Sequence, residues 1–528
     1  MEQKQKKTTA RQPYVIGGIA AGAIIVAAVI VIIAGMKLFR GSEMTEANNK
    51  LKNRAPMLGH IDTDYQALLV DRNGKKISLD GQFSQCIMTA DRQHIIAQDT
   101  KGGLHVYDGS GNYLKKLTDD GTTIDEGFVS DDLVVYYKTS DRTLQQAEPA
   151  SDMELRCYIY SEDRQVELGM CSMGSFIVED DTVLFAGNGD VFYFDNSMTA
   201  PEKIKAGKDT DFIEFMGISQ DSKIAVWYVL EGQERNVYCY QDREVQLLDS
   251  VNNKAFGEPG YVLFFNEGES AVVYGNSYNK VVIKDGSGEP WEASFDGTLQ
   301  VSGVVENEHG WQLYCLAGKT QKMSLYCISQ DGQKALLEEN VMSVVGCQPD
   351  GIYFVDNENT LFRGIPADVS EKSDSFETEA LAQNVTEAIY MTDSGNGLLM
   401  FQYAQSEGAA ANRVSYANTN DFKAVPVTDG IYMFAFAPDD SGFYYIDREA
   451  SESGEELLVL YYQGFNGHAP VEIDQNIFLI DTGTDQYIQG QPIIYFKQVL
   501  GENPEDYHIE MYTYYNGEKN RISDSVVY

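Results

Sequence analysis

The sequence has 528 residues, of which 43% are apolar, so it can form a large packed interior and lacks the composition of a disordered chain. It carries 80 acidic and 40 basic residues, and residues 55–528 alone hold 77 acidic against 31 basic residues, a net charge of −46. So negative a surface repels nucleic acid and anionic lipid headgroups, and we therefore expect no nucleic-acid partner. It would attract basic proteins, although an acidic surface also serves solubility alone.

The first predicted element is a transmembrane helix over residues 14–36. Its 23 residues include no charged side chain, and at about 1.5 Å per residue they span about 34 Å, enough for a hydrocarbon core of about 30 Å. A cleaved signal peptide has a shorter apolar core and a small-residue cleavage site, so an uncleaved signal-anchor fits better. A soluble helix buried on every side is the other alternative, and it would need a large surrounding core.

The orientation of this helix is not decided by the flanking charges. Four basic residues precede it and five follow it. The positive-inside rule assigns an orientation only when one side of the helix carries clearly more Lys and Arg residues than the other. We expect the short basic tail of residues 1–13 to stay in the cytoplasm and the acidic region to lie outside the cell membrane. Residues 37–55 are predicted to form a stalk or linker, and Pro56 would end any helix there because its ring removes a donor and clashes with the preceding turn.

Gly18 and Gly22 form a G-x-x-x-G pair within the predicted span. Small residues four apart let two membrane helices approach closely, so this face is a candidate for helix packing and for a dimer. Gly and Ala are frequent in membrane helices in any case, and the pair alone does not require a dimer.

After residue 56, one pattern recurs about ten times. An acidic or glycine-containing turn leads into an apolar, aromatic-rich strand, as in "DRQHIIAQD" and "DSKIAVWYV". A hairpin follows, as in "HVYDGSGNYLKKL" from His105 and "VYCYQDREVQLL" from Val237. The apolar strands are centred about 44 residues apart on average, from Ala97 to Phe496. Asp, Asn and Gly suit such turns because they tolerate positive φ or bond their own backbone.

Each unit reads as four short strands, which is typical of one β-propeller blade. The sequence thus predicts an all-β region over residues 56–528, with about ten four-stranded blades between residues 83 and 522 and a lone hairpin at 64–79. The hairpin is a candidate to complete the sheet of a late blade. Because rings usually close with about four to eight blades, two tandem rings divided near residues 294–300 and one unusually large ring both remain open.

This order of turns and strands resembles the bacterial TolB-like and WD40-like propellers, here on a membrane anchor, over residues 56–528. The Gly-His and Trp-Asp signature of true WD40 repeats and the Asp-box of sialidase-type propellers are absent from the sequence. Propellers of this kind bind other proteins, peptides or saccharides. The resemblance therefore implies a binding function at the loops around the central channel.

The sequence contains no recognisable catalytic, metal or cofactor motif. None of its six His residues pairs at metal-ligand spacing, and the H-E-x-x-H, G-x-S-x-G, P-loop and dinucleotide glycine patterns are absent. We therefore predict no catalytic residue, no metal and no cofactor. The seven Cys residues include no C-x-x-C pair, and Cys239 and Cys327 take matching positions in their units, which favours buried thiols over a disulfide framework.

Two Asp-rich turns, "DGSGN" at Asp108 and "DSGNG" at Asp393, offer oxygen ligands of the kind that calcium prefers. Both also lie where a β-turn favours Asp, Asn and Gly, and neither matches an EF-hand loop. We therefore prefer the turn interpretation. Trp227 and Trp311 lie in the second strand of their units and are predicted to pack in the interior.

The first functional hypothesis is a membrane-tethered extracytoplasmic module that binds or scaffolds an unknown protein or envelope ligand. The long variable loops of residues 139–155 and 366–383 would supply its surface. The second is an envelope-associated hydrolase or lyase that acts on glycan or peptide through carboxylates in the propeller channel. A sensor is a third, although a tail of 13 residues offers little to signal with. The lack of catalytic patterns favours the binding module over an enzyme.

Overall fold

A computed structural model gives the structure of the protein, and it describes residues 56–527 with gaps. The gaps lie at residues 120–123, 125, 139–152, 172–174, 208–211, 220–222, 232–233, 242, 253–260, 266–270, 277–278, 286–288, 308–309, 320–321, 350, 366–375, 393–394, 396, 404–411, 419–422, 429–430, 438, 451–455, 482–491 and 501–506. The predicted tail, transmembrane helix and linker, with Gly18 and Gly22, fall in residues 1–55, outside the described part, and stay predictions. Within the described part, no helix combines the length and the apolarity that a membrane crossing requires.

The described chain is almost entirely β-structure and begins with a seven-stranded sheet, which we call sheet 1. Its spatial order is β3-β2-β1-β4-β5-β6-β7. The strands are β1 (Met57–Ile61), β2 (Ala67–Val70), β3 (Lys76–Ile77), β4 (Phe83–Met88), β5 (His94–Asp99), β6 (Leu104–Asp108) and β7 (Tyr113–Thr118). A short 3₁₀ helix, Glu126–Phe128, follows.

Sheets 2 to 5 are smaller. Sheet 2 has the order β10-β9-β8, and sheets 3, 4 and 5 each have four strands in chain order. The strands are β8 (Leu133–Lys138), β9 (Met153–Ile159), β10 (Arg164–Cys171), β11 (Phe176–Glu179), β12 (Thr182–Gly187), β13 (Asp190–Asp195), β14 (Glu202–Lys205), β15 (Phe212–Ile218), β16 (Ile224–Glu231), β17 (Glu234–Gln241), β18 (Glu244–Asn252), β19 (Tyr261–Phe265), β20 (Ala271–Asn276), β21 (Lys280–Asp285) and β22 (Trp291–Ser294). The repeat predicts a strand before β8 in sheet 2, but the described residues there form only one β-bridge, between Val129 and Val134. The residues just before this bridge form the 3₁₀ helix instead of a strand.

Sheets 6 to 9 complete the described chain. Sheet 6 has seven strands in chain order, and sheets 7, 8 and 9 have four each. The strands are β23 (Thr298–Asn307), β24 (Gly310–Lys319), β25 (Lys322–Ser329), β26 (Lys334–Gln348), β27 (Gly351–Asp356), β28 (Leu361–Ile365), β29 (Glu377–Ala382), β30 (Val385–Met391), β31 (Gly397–Tyr403), β32 (Asn412–Asn418), β33 (Val425–Thr428), β34 (Met433–Phe436), β35 (Gly442–Ala450), β36 (Glu456–Gly464), β37 (Val471–Gln475), β38 (Ile477–Ile480), β39 (Ile493–Leu500), β40 (Tyr507–Tyr515) and β41 (Glu518–Ser523).

Many of the tight turns between strands share one hydrogen-bonding pattern. An aspartate Oδ1 accepts the amides two and four residues later, as Asp108 does from Ser110 and Asn112 at 2.9 Å each. The same pattern occurs at Asp62, Asp71, Asp99, Asp108 and Asp356. In each turn the residue three after the aspartate has a positive φ, namely Tyr65, Gly74, Gly102, Gly111 and Asn359. The Asp-and-Gly spacing of the sequence therefore encodes these turns directly.

Neighbouring sheets pack face to face because side chains alternate along each strand. In β12, Val183 and Phe185 belong to the hydrophobic cluster with sheet 2, whereas Leu184 and Ala186 belong to the cluster with sheet 4. A sheet buried on both faces needs apolar residues at every position, which explains the continuous apolar runs of the sequence. Trp227 and Trp311 are 0% and 2% exposed, so their predicted packing role is confirmed.

These hydrophobic clusters connect each sheet to the next along the whole described chain. They join sheets 1 and 2, 2 and 3, 3 and 4, 4 and 5, 5 and 6, 6 and 7, 7 and 8, and 8 and 9. At residues 294–300, the expected division, Phe295 and Leu299 lie in one shared cluster. The packing of successive antiparallel sheets confirms the predicted all-β, propeller-like fold. The predicted division of the chain near residues 294–300 stays a prediction.

The N-terminal hairpin of β2 and β3 belongs to sheet 1 through the pairing of β2 with β1, so the expectation that it completes the sheet of a late blade is wrong, although it also packs on the last sheet. Ala67 and Leu69 pack on the β4–β7 part of sheet 1, whereas Leu68 and Val70 pack on sheet 9. The contact with sheet 9 includes a bridge between Asp62 and Val526 and a hydrogen bond of 2.7 Å from Thr513 Oγ1 to the carbonyl of Gly74. The two ends of the described chain are therefore joined to each other.

Candidate functional site

The turn between the first two strands of a unit is built from a hydroxyl residue and an aspartate. In sheet 1, Thr89 Oγ1 donates to Asp91 Oδ1 at 2.6 Å, and the amide of Gln93 donates to the same oxygen at 2.9 Å. The turn is closed by a hydrogen bond of 2.9 Å from the amide of Arg92 to the carbonyl of Thr89, and Arg92 has a φ of 62°. The acidic side chain is thus fixed by its own turn.

Related turns recur in other sheets. Ser219 and Thr392 each accept, at the side-chain oxygen, the amide five residues later, at 2.8 and 3.0 Å. In sheet 8, Asp439 Oδ1 accepts the amide of Ser441 at 3.1 Å. Because strands alternate in direction within each sheet, the turns between first and second strands all leave their sheets at equivalent ends.

The acidic turns of sheets 1, 2 and 3 contact one another. The amide of Asp91 donates to Asp131 Oδ1 at 2.9 Å, and Ser130 Oγ donates to the carbonyl of Asp180. We call this group the acidic turn cluster, and its carboxylate residues are Asp91, Asp131, Asp132, Asp180 and Asp181. The contacts hold the acidic turns in a continuous row across three sheets.

A histidine and a tyrosine stack beneath the first two of these turns. The rings of His94 and Tyr160 lie 4.2 Å apart at 13°, and the amide of Tyr160 donates to the carbonyl of Asp132 at 3.0 Å. Within the part of the chain that the structure describes, His94 Nδ1 and the Tyr160 hydroxyl are buried without a hydrogen-bond partner. No local pattern in the sequence predicts this pair, because His94 and Tyr160 meet only through the packing of two sheets.

The pKa values of this pair are shifted so that both groups stay neutral. Burial raises the pKa of Tyr160 well above its ordinary value, and the negative charges of Asp131 and Asp91 raise it further. Burial lowers the pKa of His94, although the charges of Asp91 and Asp108 oppose that shift. The pair therefore presents uncharged polar groups next to a row of carboxylates.

Asp181 is the described carboxyl group whose pKa is raised. Burial is the main cause, and the negative charges of Asp195 and Asp180 add to it, while the Thr182 hydroxyl opposes the shift by donating to Asp181 Oδ1 at 3.1 Å. A carboxyl group with a raised pKa is a candidate general acid. A hydrolase or lyase would need a second carboxylate placed across a substrate from it.

The Asp108 turn uses its carboxylate internally. Asp108 Oδ1 accepts the two turn amides, and Oδ2 accepts Asn112 Nδ2 at 2.8 Å. These bonds lower the pKa of Asp108, first through the Asn112 side chain. Among the described residues, no three His, Cys, Asp or Glu side chains are grouped as a metal would require. Asp393 lies outside the described residues.

The structure leaves most of the predicted loop surfaces undescribed. Of residues 139–155, the described ones are 153–155, which begin β9, and of residues 366–383 the described ones are 376–383, which include β29. The seven cysteines are free thiols, and six of them are buried. Burial raises the pKa of Cys239 and of Cys327 to about 12, so neither is a reactive thiolate.

No protein-family model matches the chain, and no curated protein matches it. Several solved structures are similar at low identity. A eukaryotic initiation factor is 9% identical, with 80% of this chain and 96% of that chain covered and a TM-score of 0.37. The WD40 domain of SCAP from fission yeast is 11% identical, with 60% and 87% covered and a TM-score of 0.29.

An oligogalacturonate lyase in complex with manganese is 10% identical, with 65% of this chain and 97% of that chain covered and a TM-score of 0.30. At such values no function can be transferred from these proteins to this chain. The propeller assignment rests instead on the sheet order and on the face-to-face packing described above.

Proposed function

We propose that the protein is a membrane-tethered extracytoplasmic β-propeller that scaffolds a partner protein by binding a basic segment of it on the acidic turn cluster. The observation that carries this proposal is the pair of contacts between turns of successive sheets, from Asp91 to Asp131 and from Ser130 to Asp180. Carboxylates that are already held in place lose little conformational entropy when a ligand arrives, so more of the interaction energy appears as affinity.

The charge of the chain supports the same ligand. With a net charge of −46 over residues 55–528, the protein attracts cations over a long range and speeds their association at low salt. The neutral, partly exposed rings of His94 and Tyr160 beside the carboxylates add apolar contact area. Lys and Arg side chains, which combine a cation with an apolar stem, match this surface.

The proposed scaffold is one closed ring of ten blades. Two observations support one ring over two: hydrophobic clusters run without interruption from sheet 1 to sheet 9, and the hairpin of β2 and β3 connects sheet 9 back to sheet 1. Sheet 6 counts as two blades because β26 pairs with β25 through its first half and with β27 through its second. The proposed tether is the uncharged segment 14–36, with the N-terminus inside and the propeller outside.

The binding proposal is tested with the full chain in detergent and two labelled peptides. One peptide alternates Lys with Ser, and the other replaces each Lys by Gln. We expect the Lys peptide to bind, the Gln peptide to fail, and the affinity of the Lys peptide to fall steeply as salt is raised from 50 to 300 mM, since exposed charges are screened.

A matched pair of variants locates the site. The double variant D131N/D132N removes two charges from the acidic turn cluster, whereas D356N/E358Q removes two charges from the turn between β27 and β28, at the opposite end of a sheet. We expect D131N/D132N to weaken Lys-peptide binding about tenfold, which is about 1.4 kcal/mol, and D356N/E358Q to leave it within about twofold. Equal losses in both variants would show that only the overall charge matters, and the proposed site would then be wrong.

A further inference from the structure

A second surface of the protein has the opposite character from the acidic turn cluster. A cleft of about 280 Å³ lies between the end of β22 and the hairpin of β24 and β25. It is lined by Ser294, Phe295, Asp296, Lys322, Tyr326 and Lys334, among others. The turn from β24 to β25 joins a second strand to a third, so it leaves sheet 6 at the end opposite the acidic turns. The cleft is therefore separate from the proposed protein-binding surface.

Two lysines line this cleft in a region of the chain that carries 31 basic and 77 acidic residues. Lys334 is held in position: its Nζ donates to the carbonyl of Ser294 at 3.0 Å and lies 4.5 Å from the ring centre of Phe295. An ammonium group has three N–H donors, so this bond leaves it able to donate to a ligand as well. The cleft thus brings two ammonium groups and one carboxylate, that of Asp296, together in a part of the chain whose net charge is strongly negative.

Two aromatic rings form the apolar part of the cleft. The rings of Phe295 and Tyr326 lie 5.2 Å apart at 63°. Phe295 is 6% exposed and belongs to the hydrophobic cluster that joins sheets 5 and 6, so the wall it forms is rigid. Asp296 and Ser324 add a carboxylate and a hydroxyl on the same cleft. The accessible lining of the cleft is mostly polar, with the two rings as its apolar part, so it suits a hydroxylated ligand better than an apolar one.

We propose that this cleft binds the ring of a carboxylated sugar, such as a single uronic acid residue. The sugar carboxylate lies against the ammonium groups of Lys322 and Lys334, an apolar face of the ring lies on Tyr326, and ring hydroxyls donate to Asp296. The volume of about 280 Å³ lies just below the range of about 300–1,000 Å³ that is usual for ligand pockets, which suits one ring rather than an extended oligomer. A neutral sugar would leave the lysines without an anion, and a bare phosphate would make no use of the aromatic walls.

The experiment uses the full chain and isothermal titration calorimetry with three probes. They are methyl glucuronide, methyl glucoside, which has the same ring without the carboxylate, and inorganic phosphate. We expect methyl glucuronide to bind, and both methyl glucoside and phosphate to bind at least tenfold more weakly. Binding of phosphate as tight as that of methyl glucuronide, or no measurable heat with methyl glucuronide at millimolar concentration, would overturn the proposal.

Variants of single lysines test the position of the site. We expect K334Q and K322Q each to weaken methyl glucuronide binding at least fivefold, and K319Q to leave it within twofold. Lys319 is exposed, pairs in register with Lys322 and does not line the cleft, so K319Q removes the same charge nearby. Circular dichroism confirms that each variant is folded. An equal loss in K319Q and K334Q would show that the sugar responds only to the local field, which contradicts a site in the cleft.

Discussion

His60 Nε2 and Asp481 Oδ2 lie 2.8 Å apart although 421 residues separate them in the sequence. The His60 ring also meets the ring of Phe496 edge to face, with 4.9 Å between ring centres. His60 belongs to β1 and Asp481 directly follows β38, so the contact ties the first sheet to the last. It is one of the interactions that close the arrangement of sheets.

The variant H60A should destabilise the protein. It removes a partly buried hydrogen bond and an aromatic contact, which together are worth about 1–2 kcal/mol. Chemical denaturation followed by tryptophan fluorescence measures the loss in the free energy of unfolding. His468 is exposed and offers a matched control, so we expect H468A to change the free energy by less than about 0.5 kcal/mol. If H60A were as stable as H468A, the contact with Asp481 would contribute nothing to closure.

Two tyrosine variants should have opposite effects. The hydroxyl of Tyr160 is buried without a partner among the described residues, whereas that of Tyr495 donates to Asp474 Oδ2 at 2.9 Å. We therefore expect Y160F to be neutral or stabilising by up to about 1 kcal/mol. We expect Y495F to lose about 1–3 kcal/mol, because it removes a buried hydrogen bond to a carboxylate, although Asp474 Oδ2 keeps its ion pair with Lys519 at 3.2 Å. Thermal and urea unfolding of both variants decides this. A large loss in Y160F would mean that its hydroxyl bonds a group, such as an ordered water, that the fold requires.

Stability should depend on pH through Asp474. Burial alone would raise the pKa of this carboxyl group, but hydrogen bonds from Lys497, the Gln475 amide and Tyr495 outweigh burial and hold the pKa below its usual value. A carboxylate with a lowered pKa stabilises the fold fully above its unfolded pKa of about 3.9 and loses that effect as the pH falls through the lower folded value.

The variant D474N tests this dependence. We expect it to be less stable than the natural chain by about 1–3 kcal/mol at pH 7, and the difference to shrink as the pH falls below about 4. Urea denaturation at a series of pH values measures both quantities. A difference that stayed constant from pH 7 to pH 2.5 would contradict the role assigned to the ionised carboxylate.

Two glycines with similar backbone angles should tolerate alanine differently. Gly111 and Gly517 have φ values of 88° and 83°, but a Cβ on Gly111 would lie 2.7 Å from the carbonyl oxygen of Ser78, whereas a Cβ on Gly517 would meet nothing within 4 Å. We expect G517A to cost about 1 kcal/mol from backbone strain and G111A to cost about 1–3 kcal/mol more because the backbone must also move. Parallel melting curves compare them, and equal losses would show that the Ser78 contact relaxes freely.

The sequence predicts local features of this fold well. The turn at Asp108 follows from its own Asp, Gly and Asn, and the burial of Trp227 follows from the apolar run around it. These features depend on residues within one hairpin. They could be predicted because the alternation of side chains and the turn residues act over only a few positions.

The candidate sites could not be predicted in the same way. His94 meets Tyr160, and Lys334 meets Ser294, only when separate sheets pack together. The length of β26, which runs from Lys334 to Gln348 and serves two sets of partners, also exceeds the short strands expected from the repeat. In each case the contacts that form the site join residues that are distant in the chain. A repeat pattern predicts the strands of each sheet but does not predict which side chains of two packed sheets meet.

The position of the β2 hairpin has a consequence for biosynthesis. Leu68 and Val70 are made roughly 450 residues before Ile522, which is one of the residues that cover them. At about 5–20 residues per second, the interval of roughly 450 residues lasts on the order of 20 to 90 seconds. During that time the face of the hairpin that carries Leu68 and Val70 has no native partner, so the first sheet cannot dock on the last until sheet 9 has been made.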